Sequence, residues 1–595
     1  MNKILTTPEE LAANPRVLYT GNHYLSLPEI DPETTAIKSL NLISLSNKGL
    51  VELKGRENLF KPSFYAHGSL LSPEKVEAWQ ENYYLPCFRF HFADHSPVEV
   101  KLYPDLTEKG FVYQFSSSEE VQVQLDCDPG ELSFIRFNSH PVNFSVDFRL
   151  DKWLGNPLLD IRGSGTAFAL AFGGEDSFSY QYDDFTLTLH LNCQGESAFY
   201  ISLNCDPDGA STTLIHLKRK GYREIRTEFE RWLAKKSVAL PADPLLEEVL
   251  NLNLFFNYFY AIGKDIESDR YVALTSRSPR YYVSGAFWER DSFLWSFPAL
   301  AIVDPDFAAD LSREMILRHA ANAGDHAHYI DGTVLYPGFE LDEAASYFIL
   351  LDLLPQEKID SELIKALEKV LARIEREYDP KTGLYKTFLL PSDDPAEYPF
   401  VTIDQAILSK GFENLAALYR NLKKPEKADF LEERRRGIKE GVYTHLVKEI
   451  DGKKMFVWSA DGKGNYRLYN DPPGNLGLLP YYRFVEPEDE IFINTINYYY
   501  SPQYHYYPEN AAIQELACDH HPNTPSGLGL CGSLLNPLMR ERALTWLKRA
   551  KMDHGLLAES YDKNSGEAKT GVAFATGSGY LAFALYRVLV EEQTR

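Results

Sequence analysis

Two hydrophobic periods divide the chain. From Ser39 to about Leu217 apolar and polar residues alternate, as in Phe88-Arg-Phe-His-Phe92, Val121-Gln-Val-Gln-Leu125, Phe144-Ser-Val-Asp-Phe148 and Phe185-Thr-Leu-Thr-Leu-His-Leu191. A period of two sends successive side chains to opposite faces of a strand, and Asp128-Pro-Gly130 and Gly173-Gly174 read as turns between strands. Many short strands without a long helix predict a large antiparallel β-sandwich. Asp206-Pro-Asp-Gly209 reads as a further turn. Around Tyr222 the period lengthens, and Ile225 to Lys235 predicts a helical linker with Phe229, Trp232 and Leu233 on one face. From Pro244 the pattern is helical to the end. The clearest helices are Pro244–Ile262, Asp291–Ile302, Phe307–Ala321, Leu341–Leu354, Ser361–Tyr378, Ile403–Leu422, Glu426–Leu446, Glu488–Tyr499, Ala511–Ala517, Pro537–Met552 and Val572–Val590. Helices returning in pairs, with long aromatic loops between them, predict hairpins closed into a toroid. The lack of a fixed repeat argues against a solenoid. The reading is a multidomain β + α chain: a β-sandwich over 1–222, a helical linker over 223–243 and a helical toroid over 244–595.

Composition narrows the chemistry. The 595 residues suffice for several domains and a large core. A net charge of -24 excludes nucleic acid and anionic membranes as partners, because both need clustered Lys and Arg. Aromatic residues reach 13%, with 37 Tyr, and rings of this kind suit the faces of sugars as well as a core. Met1 to Glu10 has no apolar leader, and no later run approaches a membrane span. The six cysteines are scattered without metal spacing, which reads as reduced thiols in a cytoplasmic protein.

Candidate chemistry gathers at three junctions where aromatic residues, then acids, lead into a helix. The first is Gly285-Ala-Phe-Trp-Glu-Arg-Asp-Ser-Phe-Leu-Trp-Ser-Phe-Pro298, where Glu289, Arg290 and Asp291 are bracketed by Phe287, Trp288, Phe293 and Trp295. Such a segment forms either the polar floor of a pocket or a buried Arg–carboxylate pair that fixes a loop. The second is Tyr336-Pro-Gly-Phe-Glu-Leu-Asp-Glu-Ala-Ala-Ser-Tyr-Phe348. There Asp342 is a pocket carboxylate or a first-turn acid favoured by the helix dipole, and Glu343 points about 100° away round the helix. The third is Gly555-Leu-Leu-Ala-Glu-Ser-Tyr-Asp-Lys-Asn-Ser-Gly566, followed by Thr570-Gly-Val-Ala-Phe-Ala-Thr-Gly-Ser-Gly579; Glu559 here is a surface or an inward residue.

In this order the three junctions resemble the glucosidase domain of bacterial glycogen-debranching enzymes and their glucoamylase-like relatives, which are (α/α)6 six-hairpin toroids behind a β-sandwich. Phe287-Trp-Glu-Arg-Asp-Ser292 is similar to their Trp-Gly-Arg-Asp-Thr sugar-binding segment. Leu341-Asp-Glu-Ala-Ala-Ser-Tyr-Phe348 resembles the helix start that carries their general acid, and Ala558-Glu-Ser-Tyr-Asp562 the loop of their catalytic base. The bacterial exo-α-mannosidases of the same toroid class match these segments at least as well. The resemblance implies Asp342 as acid and Glu559 as base. It implies Trp288, Arg290 and Asp291 as sugar ligands, and Glu289, Tyr336 and Glu343 beside them are added as further candidate ligands. His505, in the aromatic loop Tyr498 to Tyr507, is added as a hydroxyl ligand. Glu289 departs from the debranching pattern, which has Gly there, and the Gly-Cys-x-x-Gln segment before the last helix is absent.

The expected function is an exo-acting, inverting glycoside hydrolase on short α-linked oligosaccharides, α-glucosides before α-mannosides, with neither metal nor cofactor. Inversion needs a protonated carboxyl at the leaving oxygen and an ionised one that activates water. A disaccharide phosphorylase or polysaccharide lyase on a similar toroid is the alternative, with Thr576 and Ser578-Gly579 as a thin anion pocket. A non-catalytic sugar-binding protein is the other. His326, His328 and Asp331 are spaced too loosely for a metal site. Asp404, Gln405 and Asn470-Asp-Pro-Pro473 are candidate rim contacts, and Asp519-His-His521 reads as an exposed turn.

Overall fold

A computed structural model describes residues 17–175 and 177–591, so the expectation for Met1 to Glu10 falls outside the described residues. The chain forms two compact units that interleave in sequence. The first contains the residues up to Val238 together with Phe259–Val272 and Ser276–Gly285, and the second contains Ala239–Tyr258, Ala273–Thr275 and Ala286 onward.

The first unit is one continuous antiparallel sheet of 15 strands. Of its three longest strands, Gly110–Ile135 is central and pairs with Gly49–Ala66 on one side and Thr186–Asn204 on the other along most of their length. Val121, Val123, Leu125 and Cys127 are fully buried and alternate with Gln122, Gln124 and Asp126, as a period of two requires. Phe60 pairs in register with Cys127, yet its ring lies 5.6 Å from Phe111 and 6.5 Å from Phe172. A straight strand would separate Phe111 from Cys127 by roughly 50 Å. The long strands therefore bend back, and their two ends enclose a single apolar core. Asp128-Pro-Gly130 is not a turn. It lies within the strand Gly110–Ile135 at a break in register, where a Cβ on Gly130 would meet the Arg56 backbone at 2.5 Å. The strand pattern also ends earlier than the sequence suggests. Asp206 caps a helix, Pro207–Lys220, by accepting from the Gly209 N–H, and a second helix follows at Tyr222–Lys236.

The second unit is helical, and its last helix closes it. Ala575–Tyr586 packs against Arg290–Ser296 and Phe297–Val303, with Tyr580 stacked 5.5 Å from Trp295. Gly579 lets this happen, because a Cβ there would meet Asn257 Oδ1 at 2.5 Å. Thr402–Asn421 and Pro425–His445 form an antiparallel pair across a three-residue connection, and Leu341–Ile349 lies on the first of them. Gly411 permits that approach, since a Cβ there would sit 3.3 Å from the Ala345 carbonyl. Two helix assignments change. Ala511–Ala517 is irregular, and Gly527–Leu535 is a wholly buried helix whose three glycines hide it from propensity. Gly527 sits so close to the Ala558 carbonyl that a Cβ would lie 1.9 Å from it.

Among the described residues, no helix is long and apolar enough to cross a membrane.

Candidate active site

Arg290 organises the site. It opens a π-helical turn, Arg290–Ser296, that runs directly into Phe297–Val303. Pro298 explains the wide turn, because it lacks an N–H and its ring needs room that a regular turn does not give. Such turns recur at functional sites. The guanidinium is 3% exposed. Its Nε donates to Asp342 Oδ2 at 2.5 Å, its Nη2 donates to Glu340 and lies 3.4 Å from Glu343, and its Nη1 lies 3.3 Å from Asp393. Burial opposes the charge on Arg290, but Asp342, Glu340, Glu343 and Asp393 outweigh it and hold the group protonated.

The helix Leu341–Ile349 supplies three of these acids, two from its first turn and one from its N-cap. Glu340 occupies the N-cap position without capping a backbone N–H. Its carboxylate is spent on Arg290 and on His326 Nδ1, 2.6 Å away. Asp342 and Glu343 both reach Arg290 despite their angular separation on the helix. All three are fully buried. Burial drives Glu340 and Glu343 well above the usual carboxylate range, with Arg290 only partly compensating. Asp404, at the start of the neighbouring helix, is also fully buried; burial and then the charge of Asp342 push it up. Burial raises Asp471 to about 7. One guanidinium does not offset the burial of Glu340, Glu343 and Asp404, so burial favours their neutral forms.

The exposed face of the cluster is different. Asp393 is 44% exposed and sits in a loop with φ of 69°. On the far side, Asp291 is buried and accepts from Thr576 Oγ1 at 3.1 Å. Burial lifts Asp291 to about 7 against the pull of Arg290, and the charges of both Asp393 and Glu559 add to the rise. Glu559 is partly exposed. Its backbone is fixed by the Gly527 N–H donating to its carbonyl at 2.7 Å and by its own N–H donating to Thr570 at 3.1 Å. Gly571, with φ of 62°, leaves room for the carboxylate, because a Cβ there would be 2.6 Å from Glu559 Oε2.

The other residues singled out in the sequence divide between the edge of this cluster and the surrounding protein. Glu289 is held by protein groups. It is 1% exposed, accepts from the Tyr347 hydroxyl and from the Gly324 N–H at 2.8 Å, and faces the buried pair His319 and His328. Trp288 is buried edge-to-face against His326 at 5.9 Å, and Tyr336, 39% exposed, lies 6.1 Å from the same ring. His505 is exposed and packs on Tyr506. Gln405 is not at a rim: it is fully buried and exchanges two hydrogen bonds with the Tyr385 backbone. Asn470 is likewise buried, and its side chain accepts from the Leu476 N–H at 2.8 Å. Asp519-His-His521 is more than an exposed turn, since Asp519 pairs with Arg467 and His520 Nε2 lies 2.5 Å from Asp394. Asp393 and Asp394 are the members that the sequence pattern does not mark, and His326, weighed there only as a metal ligand, joins them. His326, Glu340 and Asp393 bring potential ligand atoms within 4.8 Å of one another. The Arg290 guanidinium already lies against two of them, so a metal ion there would meet a fixed positive charge.

Residues 366–583 match the family of metal-independent α-mannosidases, GH125. Asp393, Asp404, Asp471, His520 and Glu559 lie inside that stretch; Arg290 and Asp342 lie before it. No curated protein matches the chain. Among solved structures, a metal-independent α-mannosidase of Streptococcus pneumoniae, in a non-productive complex with α-1,6-mannobiose, is similar at TM-score 0.53 and 16% identity, covering 62% of this chain and 99% of that one. A bacterial glucoamylase complexed with acarbose matches at TM-score 0.61 and 11% identity over 97% of this chain and 95% of its own. A family GH92 α-mannosidase from Bacteroides thetaiotaomicron matches at TM-score 0.51 and 12% identity over 96% of this chain and 82% of its own. These likenesses are of fold: the glucoamylase and the GH92 structure follow nearly the whole chain, sheet unit and helical unit together, and the Streptococcus structure follows 62% of it.

Proposed function

We propose that this chain, a glycoside hydrolase of the six-hairpin toroid class, is an exo-acting inverting α-glycosidase that prefers α-mannosides to α-glucosides. The order of sugars reverses the sequence expectation, and the family matched by residues 366–583 is the reason. One observation carries the mechanism. Of the carboxylates gathered around Arg290 and Asp291, Asp393 and Glu559 are the accessible ones, and Asp291 feels the charge of both. A general acid must touch the leaving oxygen. Asp342 is sealed and bonded to Arg290, so the acid role expected of it passes to Asp393. Asp342 instead anchors the guanidinium.

In this reading Asp393 protonates the glycosidic oxygen as the bond to the anomeric carbon breaks. Glu559 removes a proton from a water that attacks the opposite face. A separation of ~6.5–9.5 Å between the two carboxyls would leave room for that water. The Glu559 carboxylate favours the positive charge that develops on the sugar ring in the transition state. The same field disfavours a phosphorylase. Thr576 spends its hydroxyl on Asp291, and a phosphate dianion near Glu559 would meet two carboxylates.

The test is release of product from aryl α-mannosides and α-glucosides, with NMR of the first-formed anomer. Rapid cleavage of the mannoside with release of the β-anomer is expected. Release of the α-anomer, or no cleavage of either sugar, would remove the reading.

A further inference from the structure

Asp393 lies at the tip of a loop, and the loop is held unevenly. Its base is fixed by backbone: the Phe388 and Leu389 N–H groups point to the Phe339 carbonyl at 2.9 and 3.2 Å, and Ala396 N–H donates to Phe388 at 2.9 Å. The tip closes through Leu390 N–H to Asp394 at 2.7 Å and Asp393 N–H to Leu390 at 2.8 Å. Asp393 itself adopts the left-handed conformation, which costs an L residue about 1 kcal/mol or more and is best tolerated by Asp and Asn. Its side chain and that of Asp394 are 44% and 38% exposed, so packing does not fix them.

Ionic contacts do. Arg290 and His326 lie 3.3 and 3.8 Å from Asp393, and His520 lies 2.5 Å from Asp394. The contacts to Asp393 weaken when it takes up the proton it must deliver, because a neutral carboxyl no longer attracts the guanidinium. The contact to Asp394 is unaffected by that step. We propose that His520 is a positioning residue, which through Asp394 keeps the loop registered while Asp393 carries its proton to the leaving oxygen. This rests on the acid role of Asp393 argued above.

The surroundings suit a charged imidazole. Asp394 and Asp393 face His520 from the loop, and Asp471 faces it from a third segment. His521 is its neighbour, and Asp519 beside it is bound by Arg467. Partial burial works against protonation, but Asp394, Asp471 and Asp393 prevail and hold His520 above the ordinary histidine range.

The experiment compares His520→Ala, His520→Arg and Asp393→Asn on two α-mannosides, one with an alkyl leaving group and one with a dinitrophenyl group that departs without protonation. His520→Ala should lower kcat on the alkyl substrate about tenfold with KM little changed, and leave the dinitrophenyl substrate within about twofold. His520→Arg should restore the alkyl rate and remove the part of the alkaline limb that His520 contributes. Equal losses on both substrates, or no loss on either, would overturn the positioning role. If Asp393→Asn is fully active on the alkyl substrate, the acid assignment itself has failed, which is a separate outcome.

Discussion

Two buried arginines in this chain teach opposite lessons. Arg277, in the sheet unit, is fully buried and donates to the backbone carbonyls of Asn22 and Phe259 at 2.5 and 2.9 Å. Its Nε and Nη2 have no hydrogen-bond acceptor among the described residues, and burial lowers it to about 10. Arg290, in the helical unit, is almost as buried and is ringed by Glu340, Asp342, Glu343 and Asp393. Burial of a cation therefore does not define a site. An excess of carboxylates, with one edge of the cluster exposed, does.

The sharpest way to break this contrast is to remove each guanidinium. Arg290→Met leaves three buried acids without their counter-charge and should lower stability by ~3–5 kcal/mol, together with all activity. Arg277→Met should cost ~1–3 kcal/mol, because carbonyls lose donors but no charge is stranded, and kcat should be unchanged. Denaturant unfolding and steady-state rates on the same samples check both. Equal stability losses would dissolve the distinction.

Next in size is Glu559→Gln, which should reduce kcat by ~10²–10⁴ with the fold intact by circular dichroism. Gly571→Ala should act through the same carboxylate. A methyl group at 2.6 Å from Oε2, on a backbone with φ of 62°, must displace Glu559, and a fall in kcat of about tenfold is expected. Wild-type rates in Gly571→Ala would show that Glu559 has more freedom than the close contact implies.

The smallest effect is the pH dependence of stability. Asp291, Asp471 and Glu515 each stand at about 7 in the folded chain, raised first by burial, against ordinary values near 4 when unfolded. Between those limits the folded state binds more protons than the unfolded one. These groups thus contribute stability that is full below about pH 4 and is lost as pH rises toward and through 7. Glu515 accepts from Tyr500, Ser533 and the Leu516 N–H, so Glu515→Gln should flatten part of that slope without changing kcat. A slope unaltered by the substitution would contradict the assignment.

Much of the fold is written in the change of period, which the structure puts at Asp206 rather than at Tyr222, because alternation of two and a longer helical period answer to different backbones. The helix Gly527–Leu535 is not, since its glycines serve close approach to Ala558 and Glu515 rather than local propensity. At the site, the motif at Phe287 to Ser292 points to Arg290 and Asp291, which do gather acids around them. The same motif draws in Glu289, whose neighbours Tyr347 and Gly324 come from elsewhere in the chain. Asp342 stands out in sequence by its place at a helix start, but its burial depends on packing against Thr402–Asn421. Asp393 and His520 lie in polar loops whose local pattern resembles any turn, and only the tertiary fold brings them to one another's neighbourhood.

The most direct test of the central claim is the leaving-group dependence of Asp393→Asn beside Asp342→Asn. If Asp393 is the acid, its Asn variant should fail on an alkyl α-mannoside by ~10²–10⁴ and recover most of its rate on a dinitrophenyl α-mannoside, while Asp342→Asn should lose both alike. Recovery in Asp342→Asn, with full alkyl activity in Asp393→Asn, would return the acid to the sealed side of Arg290 and contradict the account.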